Sequence, residues 1–468
     1  MATSIPSNRA RFRPDDVISA TGAILRGPEW EEVRGVVTDS RGVQPGNLFV
    51  ALRGEQHDGH AYALQAAESG ATAVMVELGT SLPKHVSAIE VEDTLQALGD
   101  LARAHRDAWH GKVVAITGSV GKTSTKELAS AALRAAGQRV LATKGNLNNR
   151  IGVPMTLFQL DDSFDVAVVE MGTSQPGEIA RLAEIGSPDV ALVTRASLAH
   201  TQGLGSVEAV ADEKVSLLQA LGADGVAIAY GDDAPVKKRA AVVRAKRKLF
   251  YGQSAGNDVR VVEWSVESAG TRARYQVRGK DVEIELGLLG EGAVLNAAAA
   301  LAIALGLGMP VEDAARGIAS VRPSPGRMQP RTGAGDRLII DDSYNANPAA
   351  LKVALAAAHT IARKREAPLI VILGDMKELG AHSIDAHREA GELVADADVF
   401  LFVGCGEEMR AAVAAASEKG TDTLWFERAA DCDQVIDRLP LHSVVLVKGS
   451  RSMQMERVID SLLGGENR

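Results

Sequence analysis

One stretch limits the folds open to this chain more than any other. Lys112-Val-Val-Ala-Ile-Thr117 is a β-branched run that passes directly into Gly118-Ser119-Val120-Gly121, and Lys122-Thr123-Ser124 then opens an alanine-rich stretch. The first part favours a strand and the last a helix, and a strand returned by a helix belongs to a parallel α/β sheet. Gly118 and Gly121 permit positive φ, so successive N–H groups can turn inward at the positive end of the helix and cradle a phosphate. Lys122 would then reach the β- and γ-phosphates and Thr123 would offer its hydroxyl to Mg²⁺, which points to a nucleoside triphosphate. Ile116 stands where the common P-loop spacing has its first glycine, so the pattern is a shortened G-x-x-G-K-T. The competing reading is an ordinary glycine-containing βα turn.

At 468 residues the chain exceeds what one core serves, and about three domains are expected. A net charge of −9 argues against a general nucleic-acid or anionic-membrane binder but leaves room for a locally basic pocket. Cys405 and Cys432 form no C-x-x-C, so neither a disulfide framework nor a cysteine-rich zinc site is expected, and a reducing cytoplasm fits. Residues 1–15 are polar and lack the apolar core of a signal peptide. Residues 293–311 are mostly apolar, but they are rich in Ala and Gly and carry Asn296, so a buried helix is expected in place of a membrane span.

The pattern divides the chain at about 90 and about 324. Residues 1–90 carry strand-like runs at 36–38, 47–52 and 72–76 and a helix-like stretch at 61–69. Residues 91–324 alternate apolar strands (113–117, 140–142, 166–171, 190–194, 226–230) with helices after Lys122, Pro154, Gly177 and Ser206, as in a doubly wound parallel sheet. Residues 259–288 alternate apolar and polar side chains and predict antiparallel strands of an appended small sheet. The Pro-rich, basic Arg322-Pro-Ser-Pro-Gly-Arg327 reads as a hinge. Residues 325–468 resume the α/β alternation, with strands at 337–341, 369–373, 399–403 and 444–447.

Several side chains sit where strands of such a sheet end. Glu170, in Ala167-Val-Val-Glu-Met-Gly172, is a candidate Mg²⁺ ligand or else a capping or surface residue. His200 also follows an expected strand, although an isolated histidine is an ordinary structural residue. The loop Thr143-Lys-Gly-Asn-Leu-Asn148-Asn149-Arg-Ile-Gly152 is denser in amides than a connection requires. Lys214, on an expected helix at 207–221, reads by itself as a solvated surface lysine.

Together these segments resemble the Mur ligases. The resemblance rests on Thr117-Gly-Ser-Val-Gly-Lys-Thr123, Gly145-Asn-Leu-Asn-Asn149 with Gly152-Val-Pro154, Glu170-Met-Gly172, His200 and Arg327. It rests also on Asp341-Asp-Ser-Tyr-Asn-Ala-Asn-Pro348 and Leu373-Gly-Asp-Met-Lys-Glu-Leu-Gly380, with Thr38-Asp-Ser-Arg41, Gly46-Asn-Leu-Phe-Val-Ala-Leu52 and Asp58-Gly-His60 at the N-terminus. It covers essentially the whole chain in the family's order. The Asp-Asp-Ser-Tyr and Gly-Asp-Met-Lys strings are most similar to the branch that joins D-alanyl-D-alanine to UDP-N-acetylmuramoyl-tripeptide.

The resemblance implies three α/β domains: an N-terminal UDP-binding domain, the central P-loop ATPase domain with its doubly wound parallel sheet, and a C-terminal Rossmann-like domain. It implies an ATP-dependent amide synthesis through an acyl phosphate in cytoplasmic peptidoglycan precursor synthesis, carried out by a monomer with no nucleic acid and no membrane span. By the same resemblance ATP is held by Gly118, Ser119, Val120, Gly121, Lys122, Thr123, Ser124, Asn296 on the adenine side, Arg327 on a phosphate, and Asp342 near the ribose. Thr123, Glu170 and His200 would hold Mg²⁺, as two ions, and Lys214 would join them as a lysine carbamylated by CO₂. Lys122, Lys214, Glu170 and His200 form the implied catalytic set. Ser40, Arg41, Asp58 and His60 would contact UDP, and Asn148, Asn149 and Ser174 the nucleotide-peptide. Asn345 and Asn347 would line the interdomain cleft, with Lys448 and Arg451 near the incoming dipeptide's carboxylate.

Two positions depart from the family pattern. Gly292-Ala293 stands where similar enzymes carry His-Asn, which leaves the adenine contacts open, and Ser216 stands where an acidic residue commonly follows the modified lysine. Alternatives are another Mur or folylpolyglutamate-type ligase, or a P-loop regulatory ATPase. The last of these leaves the uridine-domain strings unexplained.

Overall fold

The computed structural model describes residues 5–54, 57–196, 206–267, 270–436 and 438–464. His200 therefore lies outside the described residues. The α/β alternation resolves into three principal sheets and a two-stranded ribbon, Arg11–Phe12 with Val33–Arg34.

The N-terminal sheet runs Ile24–Arg26, Ala88–Val91, Ala73–Glu77, Leu48–Val50, Val36–Val37, parallel except at the first pair. Helix Thr94–Ala108 carries the chain into the central unit. Asp93 caps it by accepting from the N–H groups of Leu95 and Gln96, and at its far end the buried Arg106 donates to Asp189 (2.8 Å) and to the carbonyls of Gly186 and Ser187. One continuous apolar cluster runs from Phe12 and Val50 through Leu98 and Leu101 to Val169 and Val193. The N-terminal sheet is thereby packed onto one face of the central one.

The central sheet has nine strands among the described residues. Its parallel part runs Val140–Ala142, Val166–Glu170, Lys112–Thr117, Val190–Val193, Val226–Tyr230, Arg247–Gly252. Lys112–Thr117 lies inside the sheet, between strands that continue the chain on either side. The turn after it therefore sits at the switch point, where open α/β sheets form a crevice at the strands' carboxyl ends.

The small appended sheet expected at 259–288 is corrected. Val259–Glu267, Gly270–Val277 and Lys280–Leu286 are antiparallel to one another, but Val259–Glu267 joins Arg247–Gly252 in parallel through Tyr251 and Val259, so they extend the same sheet. Their shared backing is helix Gly290–Gly306. Tyr275, fully buried, donates its hydroxyl to the Val294 carbonyl (3.1 Å) and fixes the hairpin to that helix. The helix is buried on nearly every side and ends well before residue 311, and none of the described helices is long and apolar enough to cross a membrane.

The C-terminal sheet runs Gln329–Gly333, Arg337–Asp342, Val444–Lys448, Leu369–Gly374, Leu401–Cys405, Thr423–Phe426, parallel after the first pair. The edge strands Gln329–Gly333 and Thr423–Phe426 and the strands Ile24–Arg26, Ala88–Val91 and Arg247–Gly252 were not apparent from sequence pattern. Cys405 and Cys432 meet as buried free thiols with their sulfurs 3.0 Å apart.

Behind the phosphate-cradle candidate, helix Val311–Ser320 crosses helix Lys122–Ala135 at Gly317, where a Cβ would stand 2.2 Å from the Ala131 carbonyl oxygen. The obstacle is backbone and cannot rotate away. Replacing Gly317 with Ala should therefore destabilise the protein by about 1–3 kcal/mol despite the better helix former, because overpacking outweighs about 1 kcal/mol of propensity. The check is thermal unfolding, in which a melting temperature equal to or above that of the wild type would show that the helices can part cheaply.

Candidate active site

The turn after Lys112–Thr117 is confined from two sides. Gly118 has φ +145° and Gly121 φ +89°, and a Cβ on either would strike Thr194 Oγ1 at 1.7 Å or Asn296 Oδ1 at 2.4 Å. Ser119 N–H donates to the Arg195 carbonyl (2.8 Å) and Thr194 Oγ1 donates to the Val120 carbonyl (2.7 Å), which sews the turn to the neighbouring strand's end. Gly121 begins helix Lys122–Ala135 without a side-chain cap. A helix start of this kind is a ready anion site. Ser124 lies in the helix's first turn.

Lys122 curls back so that its ammonium donates to the Gly118 carbonyl (2.6 Å). Burial holds its pKa below the usual lysine value, Glu170 opposes that shift, and the positive charge of Arg327 adds to it. Arg327, from the expected hinge, thus lies near enough for its charge to reach Lys122. Its guanidinium stacks 4.2 Å from the ring centre of Tyr344.

Glu170, 3% exposed, closes strand Val166–Glu170. One carboxylate oxygen accepts from Thr123 Oγ1 (2.9 Å), the other from Asn148 Nδ2 (2.9 Å), and its own N–H donates to Thr143 Oγ1 (2.9 Å). Thr123, Glu170 and Asn148 are therefore one cluster. Asn149 instead stays exposed and folds back on its own loop, accepting from the N–H groups of Ile151 and Gly152 at the start of helix Gly152–Leu157. Ser174 donates its N–H to Glu178 (2.7 Å).

Lys214 is not on the surface. It lies in helix Val207–Gln219, 1% exposed, and its Nζ has no hydrogen-bond partner among the described residues. Burial lowers its pKa to about 7, aided by the charge of Lys122 and opposed by Glu213 and Glu178. Glu213 caps helix Glu178–Gly186 by accepting from the N–H groups of Gly177 and Ile179 (both 2.8 Å), and Ser216 donates to the Glu213 carbonyl. With a pKa of about 7 the amine is partly neutral near neutral pH, and a neutral amine is a nucleophile.

Asn296 Oδ1 accepts from Thr125 Oγ1 (3.3 Å) and borders a small cleft whose lining includes Val120, Arg195, Tyr230, Tyr251 and Gly292. The glycine that departs from the family pattern faces this cleft, and the two tyrosine rings stand 5.5 Å apart there.

The remaining expected residues pair mainly among themselves. Asp342 accepts from Lys448 Nζ (2.6 Å) and from the Met328 N–H (3.1 Å), and Lys448, 3% exposed, also donates to the Asn345 carbonyl. Asn345 accepts from the Ala346 N–H, Asn347 caps helix Pro348–Lys364 by accepting from the Ala350 N–H, and Arg451 pairs with Glu456. In the N-terminal unit the exposed Arg41 pairs with Asp39 beside Ser40. His60 accepts the Glu77 N–H at Nε2, so its proton sits on Nδ1 and is donated to Asp58 (2.6 Å).

Pattern reading missed Lys126, Thr143, Thr194, Tyr344, Glu178 and Glu213. A charged residue within the apolar face of an alanine-rich helix was the available signal for Lys126. The others act through folding partners that no local spacing reveals.

Compared with known proteins, residues 32–106 match the Mur ligase family catalytic domain, 116–304 the Mur ligase middle domain and 326–451 the Mur ligase glutamate ligase domain. The UDP-N-acetylmuramoyl-tripeptide--D-alanyl-D-alanine ligase of Escherichia coli is 37% identical over 91% of this chain and 93% of its own, and that of Bacillus subtilis 32% over 94% and 95%. Among solved structures, MurF of Acinetobacter baumannii superposes with a TM-score of 0.88 at 28% identity over 97% of this chain and 99% of its own. MurF ligase of Thermotoga maritima in complex with ADP gives 0.83 at 29% identity over 92% and 97%. With the shortened phosphate turn, the Thr123–Glu170–Asn148 cluster and three successive family segments in one order, the chain belongs to the Mur ligase family.

Proposed function

We propose that this protein joins D-alanyl-D-alanine to UDP-N-acetylmuramoyl-tripeptide at the expense of ATP, giving the pentapeptide, ADP and phosphate in cytoplasmic peptidoglycan precursor synthesis. The observation that carries the reading is the convergence of Thr123 and Glu170 at an uncapped helix start, with a buried Lys214 that feels the charge of Lys122 and has no hydrogen-bond partner among the described residues. Relatives of that name that align over more than nine-tenths of their own length support it.

A carboxylate is a poor electrophile, and its activation requires a leaving group. The tripeptide's terminal carboxylate oxygen attacks the γ-phosphorus and ADP departs. The dipeptide's amine then attacks the acyl carbon, phosphate leaves, and the amine loses a proton. Phosphoryl transfer asks the protein mainly for positioning and fixed charge. The backbone N–H groups of 118–123 and Lys122 hold the phosphates, with Arg327 approaching from the hinge. The oxygens of Thr123 and Glu170 suit Mg²⁺, which binds through one or two protein oxygens plus phosphates and water. No larger cluster of His, Cys, Asp and Glu occurs among the described residues. When bound, the ions neutralise phosphate charge; His200 completes the proposed ligand set. The tyrosine-lined cleft beside Asn296 takes the adenine.

We assign residues 1–90, with Ser40, Arg41, Asp58 and His60, to the uridine nucleotide, 91–324 to ATP, and 325–468 to the dipeptide. The roles given to Asp342 at the ribose and Lys448 at a carboxylate both require their 2.6 Å ion pair to open, so they belong to the substrate-bound state. Asn345, Asn347 and Arg451 line the same face, and Asn148, Asn149 and Ser174 the nucleotide-peptide path.

Lys214 is carbamylated on this reading: its neutral nitrogen adds to CO₂ and releases a proton, turning a buried amine into an anionic oxygen donor for the metal site. Since only the neutral amine reacts, occupancy rises as pH climbs through about 7. With ¹³C-bicarbonate, a carbamate resonance should grow over that interval and vanish in Lys214→Ala, whose activity bicarbonate does not restore; a fully active Lys214→Ala would end the assignment.

The reaction itself is tested by supplying Mg²⁺, ATP, UDP-N-acetylmuramoyl-tripeptide and D-alanyl-D-alanine and weighing the product. The expected result is one pentapeptide per ADP. Folded protein that releases ADP without the dipeptide would favour a regulatory ATPase.

A further inference from the structure

Lys126 is the most deeply buried charged side chain near the cradle apart from Lys214. It is 2% exposed, four residues after Lys122 on helix Lys122–Ala135. Its ammonium donates to the Thr143 carbonyl (2.7 Å) and pairs with Glu127 (2.9 Å), a carboxylate still 42% exposed. Burying an ammonium for one carbonyl and one half-solvated acid is a poor way to gain stability, since an apolar side chain of similar length packs as well without the desolvation cost. What the amine does accomplish is geometric. Thr143 is the residue on which three elements meet: its N–H donates to the Val168 carbonyl (3.0 Å), its hydroxyl accepts the Glu170 N–H (2.9 Å), and its carbonyl takes Lys126. It also opens the loop whose Asn148 holds the second Glu170 oxygen.

We infer that Lys126 is a positioning residue for metal-bound nucleotide, fixing through Thr143 the distance between the Thr123 hydroxyl and the Glu170 carboxylate. The inference rests on the proposed metal-nucleotide site. Helix Lys122–Ala135 carries Thr123 and strand Val166–Glu170 carries Glu170, and the Lys126–Thr143–Glu170 chain is a polar tie between them that avoids the ligand oxygens themselves. Loosening it should spoil the spacing of the two oxygens while leaving the phosphate turn intact.

The test is calorimetric ADP binding with Mg²⁺ and with EDTA, alongside thermal unfolding, on wild type, Lys126→Met and Thr143→Val. Lys126→Met keeps length and volume; Thr143→Val keeps the carbonyl but removes the hydroxyl that accepts from Glu170. Both variants are expected to melt within a few degrees of wild type, to bind ADP in EDTA like wild type, and to lose at least fivefold in affinity only when Mg²⁺ is present. A similar loss with and without Mg²⁺, or Mg²⁺-dependent affinity within twofold of wild type in either folded variant, would overturn the inference. Were Lys126→Met to fail to fold, Lys126→Leu, which also removes the donor to the Thr143 carbonyl, would take its place under the same criteria, and failure of both to fold would overturn the inference by making Lys126 a folding residue. Wild-type protein that binds ADP equally with and without Mg²⁺ would instead count against the metal site itself.

Discussion

The phosphate turn is possible here because neither of its glycines has room for a Cβ. Thr194 presses on Gly118 and Asn296 on Gly121, so the turn is held by contact with two elements distant in sequence, the end of strand Val190–Val193 and helix Gly290–Gly306. A left-handed residue at Gly121 starts the following helix with its first N–H groups uncapped by a side chain, and the helix dipole then makes the opening electropositive. Every other site feature is measured from this point. Glu170 enters from the adjoining strand, Arg327 from the hinge, and the tyrosine-lined cleft lies on the Asn296 side.

The turn also gathers positive charge that has little solvent to screen it. The charge of Lys122 lowers the preference of Lys214 for a proton, and Arg327 adds to the pressure on Lys122. Two responses are open to such a cluster: bind an anion, or lose a proton. Lys122 lies at the helix opening, where a phosphate can settle. Lys214 is buried, and among the described residues the acids that compensate it are Glu213 and Glu178, both already engaged by backbone N–H groups. With its pKa drawn down to about 7 that lysine holds a sizeable neutral fraction near neutral pH, which is what the proposed reaction with CO₂ needs.

Legibility in the sequence followed locality. The strand–turn–helix at 112–124 declared itself because glycine, lysine and threonine act within one turn, and the buried strands around it are short apolar runs with turn residues at both ends. The edge strands were hidden because their side chains are only half covered and carry no clean period. The continuity of 259–288 with the central sheet depends on the Tyr251–Val259 and Gly252–Arg260 pairs, which pattern alone cannot supply. Lys214 read as a surface lysine because its burial comes from the packing of other helices. Lys126 passed unnoticed for the same reason, with its partner seventeen residues away at the end of a different strand.

The hinge illustrates how such distant pairs decide mechanics. Downstream of Ser324 the chain is bound to the last sheet: the Tyr344 N–H donates to the Gly326 carbonyl (3.0 Å), the Met328 N–H to Asp342, and the Arg327 guanidinium lies on the Tyr344 ring. Asp342 is itself tied to Lys448 on the adjoining strand. Arg327 is therefore attached to the C-terminal unit although its charge reaches Lys122 in the central cradle. A rotation of that unit therefore carries Arg327 together with Lys448 and Arg451. On the proposed reading, presenting the amine and completing the charge around the γ-phosphate are one movement, which couples phosphoryl transfer to the presence of an acceptor without a separate gate.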